Sequence, residues 1–509
     1  MLPCLMVVAG GSVVSAKQCT WEATDTLLLT SAGHVDLQGC QGTLHITVKR
    51  CGTALANLNP SVMMPLPAFQ AEGQGAQLHI SSSCVALTRA GTTGGSGDPI
   101  QPIVAVGVES WSHAVLKLKD CTLTAPEDLE GILIDVATSG SVSIDCSTLT
   151  GSTMRVFVKG PGGSATLHRC TLTGASSKSI MADGQGASVS ADRCIIQCSA
   201  SVMGGASGRF VNCSINELRA HEGGTLEVSQ CDIEAEEGQD AARAYVSVQG
   251  AGTQITLTRC TSKGVHVSIS EGAKLSIHDS CLTSGSEVHL LTSFPPATAP
   301  PEVSAAGSPG SQVALQGTTL ISRVCGESIV YLGEPGIRFT AADCTFTTQL
   351  PEGVERVHEA CQARGVCYVP AIQVPAFAAD ADVHLERCEV AVDGPALMTA
   401  CDSTSAVLQS CALLAPTWGT LHTERGAGAQ ASVRLRGCWC HPGMEAAVPE
   451  SWRPGIHQCV IEHPAASAEA ALGRLPSTGV VTADAGVAEH AESSDAAAAV
   501  QEQLHSLSV

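Results

Sequence analysis

Aromatic side chains are scarce in this chain: three Tyr, five Trp and seven Phe among 509 residues. That excludes a core organised around ring packing and leaves few platforms for stacking sugars. Charge is thin as well, at 15% of residues against roughly 25% in ordinary soluble domains. Basic residues are thinnest: 27 Lys and Arg face 48 Asp and Glu, giving a formal charge of −21, and no basic cluster interrupts the acidic balance. Nucleic acid and anionic bilayers are therefore excluded as expected partners. No window approaches ~18 uninterrupted apolar residues, so no membrane-spanning helix is predicted. Glycine (51) and cysteine (24) are plentiful, in a chain that is 44% apolar. This composition excludes a small disulfide knot and a fully disordered chain. It leaves the core to Val, Ile, Leu, Ala and Cys.

The cysteines recur in a frame, apolar-x-x-Cys. It reads Leu37 to Cys40, Val48 to Cys51, Leu118 to Cys121, Leu167 to Cys170, Phe210 to Cys213, Val228 to Cys231, Leu257 to Cys260, Leu385 to Cys388, Leu408 to Cys411 and Leu435 to Cys438. Ala takes the apolar place before Cys19, Cys194 and Cys344. An apolar residue usually returns two positions after the cysteine, as at Leu123, Leu172, Ile215 and Ile233, and a glycine followed by alternating apolar residues precedes the frame. Alternation means a strand with one buried face. The offset of three breaks it, so the chain bends before a second short strand in which Cys and the next apolar residue both point inward. From Cys121, with Cys198 left out, the cysteines are 25, 24, 24, 19, 18, 29 and 21 residues apart. A rung of about two dozen residues that cannot bury its own apolar face must stack on copies of itself. Ser83, Ser280 and Thr318 occupy the cysteine place in three further copies. Small, weakly polar residues are thus interchangeable there, as an interior stack requires and as a metal site or disulfide framework does not.

This pattern resembles the right-handed parallel β-helix of the pectin-lyase-like superfamily, over about Val13 to Ile461. The resemblance implies an all-β solenoid of about fifteen rungs, each coil carrying three short strands, with side chains stacked in interior ladders. It is specific for architecture and not for activity, because the same coil serves unrelated functions.

Residues 1–463 are read as the β-helix and 464–509 as a low-complexity Ala/Ser/acidic tail, disordered or forming a marginal helix near Val487 to Leu507. Four stretches interrupt the period and are read as turn insertions: 55–77, 88–102, 292–312 and 349–382, the last with room for a short helix between Arg356 and Arg364. At the N-terminus, Val14-Ser15-Ala16 could pass for a cleavage site, but a positive region is missing and Gly11 to Trp21 is itself a copy of the rung. Ladder cysteines have equivalent neighbours rather than dedicated partners, which fits a reducing, intracellular setting.

The relatives implied by the resemblance include enzymes that cleave uronic-acid polymers with clustered carboxylates, and glycoside hydrolysis needs two acids at one bond. This chain has no Asp-Asp pair, no Gly-His-Gly and no Arg-Ile-Lys. Asp192, Asp232, Asp279 and Asp343 fall beside the bend and read as solvated turn residues. Cys438, Cys440, His441, His457, Cys459 and His463 gather thiols and imidazoles, yet Cys-x-Cys-His is too short for a tetrahedral zinc chelate and Cys438 belongs to the ladder. Cys361 with Cys367 is weaker still. His168 and His278 read as exposed strand positions, not as bases for a thiol nucleophile. No catalytic residue, metal ligand or cofactor is assigned. By elimination the expected function is a non-catalytic protein-interaction scaffold in an intracellular assembly, cytoskeletal or ciliary for example. The alternative is a secreted or cell-wall protein that binds or cleaves polysaccharide.

Overall fold

The computed structural model describes the strands of residues 4–87 and 104–106. From residue 113 to 473 it describes all but 125–132, 152–154, 174–179, 235–243, 285–289, 294–309, 323–327, 349–369, 376–377, 393–395, 400–402, 415–420, 424–431, 441–458 and 463. The chain is a parallel β-helix. The first strand of each coil pairs in parallel with its equivalent in the next, in one line from Val13–Lys17 to Cys459–Glu462, eighteen strands among the described residues. Eighteen coils thus replace the fifteen expected. The short second strands and the third strands merge into one 29-stranded sheet. They merge because Ile195–Met203, Ser214–His221 and Thr261–Ser270 run through the second corner without a break.

Alternation along each first strand places its apolar residues in stacked interior columns. One column runs Ile80, Leu118, Ile144, Leu167, Ala191, Phe210, Val228, Leu257 and Ile277, each at most 1% exposed. Volume is shared between rungs: Ala191 lies beneath Phe210, and Gly208 makes room beside it, since a Cβ there would stand 2.5 Å from Leu226 Cδ2 and 3.2 Å from the Phe210 ring. Interiors packed this closely leave no slack for a methyl group at such a point.

The rung frame needs four corrections. The Val48 to Cys51 copy belongs to another corner, because Val48 pairs with Thr30 and Ala71 in the third-strand stack. Cys146, counted in the spacing, is not a ladder residue; Ser147 takes that place, 2% exposed, whereas Ser280 holds the ladder place read for it, 4% exposed, with Cys281 beside it. Residues 55–77 are no insertion, since Thr53–Leu58, Val62–Met64 and Phe69–Glu72 are coil strands. The stretch 349–382 likewise contains the coil strand Ile372–Val374; its expected helix lies outside the described residues, as does 88–102.

The apolar run Leu5 to Val8 lies in a coil strand, Cys4–Ala9, paired with Thr26–Ser31. At the other end a short helix, Ala468–Leu472, is capped by the Ser467 side chain and by left-handed Gly473. It buries Ala471 against strands Ala412–Leu413 and Trp439–Cys440, while Ala465 N–H bonds to Cys438 O at 3.0 Å. One compact unit spans Met1–Gly473, past the His463 at which composition changes. Residues 474–509, with the expected helix near Val487, lie outside the described residues.

Candidate functional site

The first corner of the coil shows why the ladder holds cysteine. In each rung from Asp120 to Gly437 the residue before the ladder position is left-handed, with φ between 48° and 59°. Two of these are Gly317 and Gly437; the rest carry side chains, Arg193 and Asn212 among them. A left-handed residue reverses the pleat, which is how the offset of three is accommodated. Its amide still joins the next rung, as Arg169 N–H does to Asp192 O at 2.9 Å. The following amide, that of the ladder residue, is met by a side chain instead. Cys170 N–H donates to Cys194 Sγ (3.4 Å), Cys194 N–H to Cys213 Sγ (3.5 Å) and Cys213 N–H to Cys231 Sγ (3.3 Å). The thiols donate in turn to the carbonyl two residues back, Cys170 to His168 O at 3.2 Å and Cys213 to Val211 O at 3.2 Å.

The ladder position therefore needs one donor and one acceptor on a small side chain that tolerates an apolar stack. Ser147 and Ser280 supply the same pair of bonds, accepting from Cys121 and Cys260 N–H at 3.1 and 3.0 Å. Thr318 donates to Gln316 O at 3.0 Å. Burial pushes the Cys260 thiol above its ordinary pKa, so that thiol is not poised as a nucleophile.

Outside the same corner, a polar cluster crosses three rungs. Asp145, His168 and Asp192 are register partners on adjacent first strands. His168 Nδ1 stands 2.7 Å from Asp145 Oδ1, and Nε2 stands 3.6 Å from Asp192 Oδ2. Asn212 Nδ2 donates to Asp192 Oδ1 at 3.5 Å. The hydrogen bond from His168 holds the Asp145 carboxyl below its usual pKa. The Cys146 thiol donates to Asp145 Oδ1 at 3.4 Å, and burial together with that carboxylate holds it above its usual range. The two acids stand two rungs apart, roughly 9–10 Å, and the imidazole fills the space that a scissile bond would need. A depressed carboxyl is also the reverse of a general acid.

A third group of side chains lies on the outer face of the third strands. Lys159 Nζ is 3.2 Å from Asp135 Oδ2 and 4.3 Å from the Phe157 ring centre. Arg219 pairs with Glu217, its Nε 2.7 Å from Oε1. Tyr245 stacks on His266 with ring centres 5.4 Å apart and planes at 21°, and His266 Nε2 is 3.2 Å from Thr292 Oγ1. Tyr331 occupies this face too, paired with Thr292, so two of the chain's three tyrosines are here.

Of the acids singled out in the sequence, only Asp192 joins the His168 cluster. Asp232 accepts from Thr261 Oγ1. Asp279 and Asp343 are left-handed corner residues, and Asp343 is bridged by Arg387 at 2.7 and 2.8 Å. His278 keeps its strand position, half-buried, in register with Thr258. Cys438 is in the ladder, 2% exposed, and Cys440 packs against the core. His441, His457, His463, Cys361 and Cys367 lie outside the described residues, and Cys459 is described only as part of its strand. Among the described residues no group of three or more His, Cys, Asp and Glu side chains is arranged to hold a metal. The His168 cluster escaped the sequence reading because its members are 23 and 24 residues apart. Its signal was their shared offset of two before Ser147, Cys170 and Cys194.

No family model matches the chain, and no curated protein matches it. Among solved structures it is similar to tailspike protein 3 of bacteriophage CBA120, at 10% identity and a TM-score of 0.29. The match covers 83% of this chain and spans 57% of the tailspike's length. Among the described residues, no helix is long and apolar enough to cross a membrane.

Proposed function

We propose that this protein is a non-catalytic binding rod, whose partner surface is the second corner of the coil and whose setting is intracellular. The observation that carries this reading is where rung length varies. From the ladder residue back to its own first strand the number of residues is constant, whereas between the second and third strands it changes from rung to rung. Thr173 and Ile180 bracket a short connection, Glu234 and Ala244 a longer one, and Thr348 and Ile372 a long one. In stacked repeats, chain of variable length gathered on one side is the usual place for partner contacts. The acids of the outer faces support the absence of catalysis, since Asp145, Asp343, Glu217 and Glu234 are each matched to a His, Arg or Lys. The ladder thiols support a reducing setting, because each donates to a backbone carbonyl in a role that a disulfide would remove.

The test is cross-linking of the native protein to its partners with residue-level mapping, beside assays for cleavage of acidic and neutral polysaccharides. Cross-links concentrated in 125–132, 235–243 and 349–369, with no cleavage, support the rod. A second reading, polysaccharide binding, is favoured by the Tyr245–His266 stack beside Tyr331. Oligosaccharide binding abolished by Tyr245→Ala would favour it over the first, and cleavage abolished by His168→Ala would overturn both non-catalytic readings.

A further inference from the structure

Among the described residues Glu334 is the only buried acid, 6% exposed, and it sits at the third corner, where third strands return to first strands. In other rungs the amides of this turn bond to the turn carbonyl of the next rung, as Gly205 N–H does to Glu222 O and Gly250 N–H to Ser270 O, both at 3.2 Å. Gly272 lacks that arrangement. Its rung is followed by the strand Leu291–Ser293, after which far more residues separate the chain from Gln312–Gln316 than in neighbouring turns. The acceptor for Gly272 N–H is instead Glu334 Oε1, at 3.2 Å and from two rungs away.

Glu334 is itself held by that irregular rung. Its amide donates to Ser293 Oγ at 3.1 Å, Gly333 N–H donates to Ser293 O at 2.8 Å, and Arg338 N–H donates to Ser311 O at 2.9 Å. The carboxyl thus accepts from Gly272 as a turn carbonyl does in those other rungs, and Glu334 ties three coils together. Its second oxygen, Oε2, has no hydrogen-bond partner, and neither has the fully buried Ser311 Oγ next to it. A carboxylate would leave a charge buried at 6% exposure with no ion pair to it among the described residues, at a cost far above that of a neutral group. A neutral carboxylic acid places a donor on Oε2 beside the Ser311 hydroxyl, and small rotations then satisfy both orphaned atoms.

We infer that Glu334 is a proton-operated latch: the neutral acid holds Gly272, Ser293 and Ser311 together across three coils, and ionisation loosens their contact. Burial pushes the Glu334 carboxyl above the usual carboxylate range, against the Gly272 hydrogen bond, which favours the charged form. The sign follows. A carboxyl raised in the folded state contributes its full stability below the ordinary carboxylate value, and that contribution is lost as pH rises through the raised one. The charged groups on the elements around it are Glu271 and Lys274 two rungs before, Arg338 on the following strand and Asp380 in the next turn. The Glu271 carboxylate is engaged by Gln249 Nε2 at 2.8 Å.

The test is hydrogen exchange of the full-length chain and of Glu334→Gln, read by mass spectrometry over peptides containing Gly272 and Ser311 across a pH series and corrected for intrinsic exchange. The wild type is expected to lose protection there as pH rises above the carboxylate range, while the glutamine variant stays protected. The two proteins tracking each other at every pH would overturn the latch. Infrared spectra of the wild type give a reading that does not depend on the variant folding. A carbonyl band of a neutral, buried carboxylic acid that fades as pH rises supports the latch; no such band above the ordinary carboxylate range overturns it.

Discussion

The first and second corners of the coil join strands of the same rungs, yet one is uniform and the other variable. At the first corner a left-handed residue and a buried thiol or hydroxyl recur in every described rung from Asp120 to Gly437, and the backbone bonds continue through the bend. At the second corner three rungs pass with no break and others carry connections of many lengths. The difference teaches where this solenoid keeps its register. A corner whose amides are met by stacked side chains cannot change length without orphaning them. A corner that faces outward can lengthen at little entropic cost.

The sharpest way to break that comparison is to lengthen each corner within one rung. One glycine inserted between Gln230 and Cys231 turns the strand Asp232–Glu234 inside out, and the expected loss exceeds about 4 kcal/mol or abolishes folding. A Gly/Ser segment of about six residues inserted between positions 237 and 238 is expected to cost below ~1 kcal/mol. Urea unfolding of the two variants checks both.

Substitution at Cys213 gives the next largest effect. Leucine there overfills the stack and leaves Cys194 N–H without a partner, while Val211 O keeps only the Arg193 N–H, for an expected loss of about 3 kcal/mol or more. Serine keeps both bonds, as Ser147 and Ser280 do, and should stay within about 1 kcal/mol of wild type. Equal losses for the two variants, measured by thermal unfolding, would remove the hydrogen-bonding account of the ladder.

Arg193, left-handed at φ 55°, sharpens the comparison on the backbone side. Arg193→Val is expected to cost about 1–2 kcal/mol, because a β-branched side chain clashes in that region. Arg193→Gly should be neutral or stabilising by a few tenths of a kcal/mol, the relief of strain offsetting the greater freedom of the unfolded chain. Denaturant midpoints of the pair decide it.

The smallest effect expected is that of Asp145→Asn. A carboxyl held below its ordinary value contributes stability above that value and loses it as pH falls through the depressed one. The wild type should therefore melt slightly higher than the variant at neutral pH, and the gap should close below roughly pH 4. Both side chains of the Asp145 and His168 pair are more than a third exposed, so solvent screening keeps this difference small. A gap that widens in acid would contradict it.

Much of this architecture is readable from a few residues in line. Gly224 to Ile233 shows a strand, a break of three and a second strand, and its neighbours repeat it, so the coil follows without coordinates. Reading the cysteine as the marker failed at Cys146, where the adjacent Ser147 takes the ladder place and satisfies the same two backbone groups, as Ser280 does in the rung where the serine was read correctly. Val48 to Cys51 failed for a related reason, since an apolar strand entering a bend looks alike at two corners. The His168 cluster was legible only through rung alignment, because its members meet across the stack and not along the chain.

The sequence by itself determined the element types, the repeating coil and the residue class at the ladder, because strand alternation and the choice of a small donor and acceptor are decided within about ten residues. Only the tertiary structure decided which corner each copy belongs to, which side chains meet across rungs and why Glu334 lies buried beside Gly272 and Ser311. Those are contacts between residues 23 to 62 positions apart, and their pairing depends on how many residues each corner between them holds.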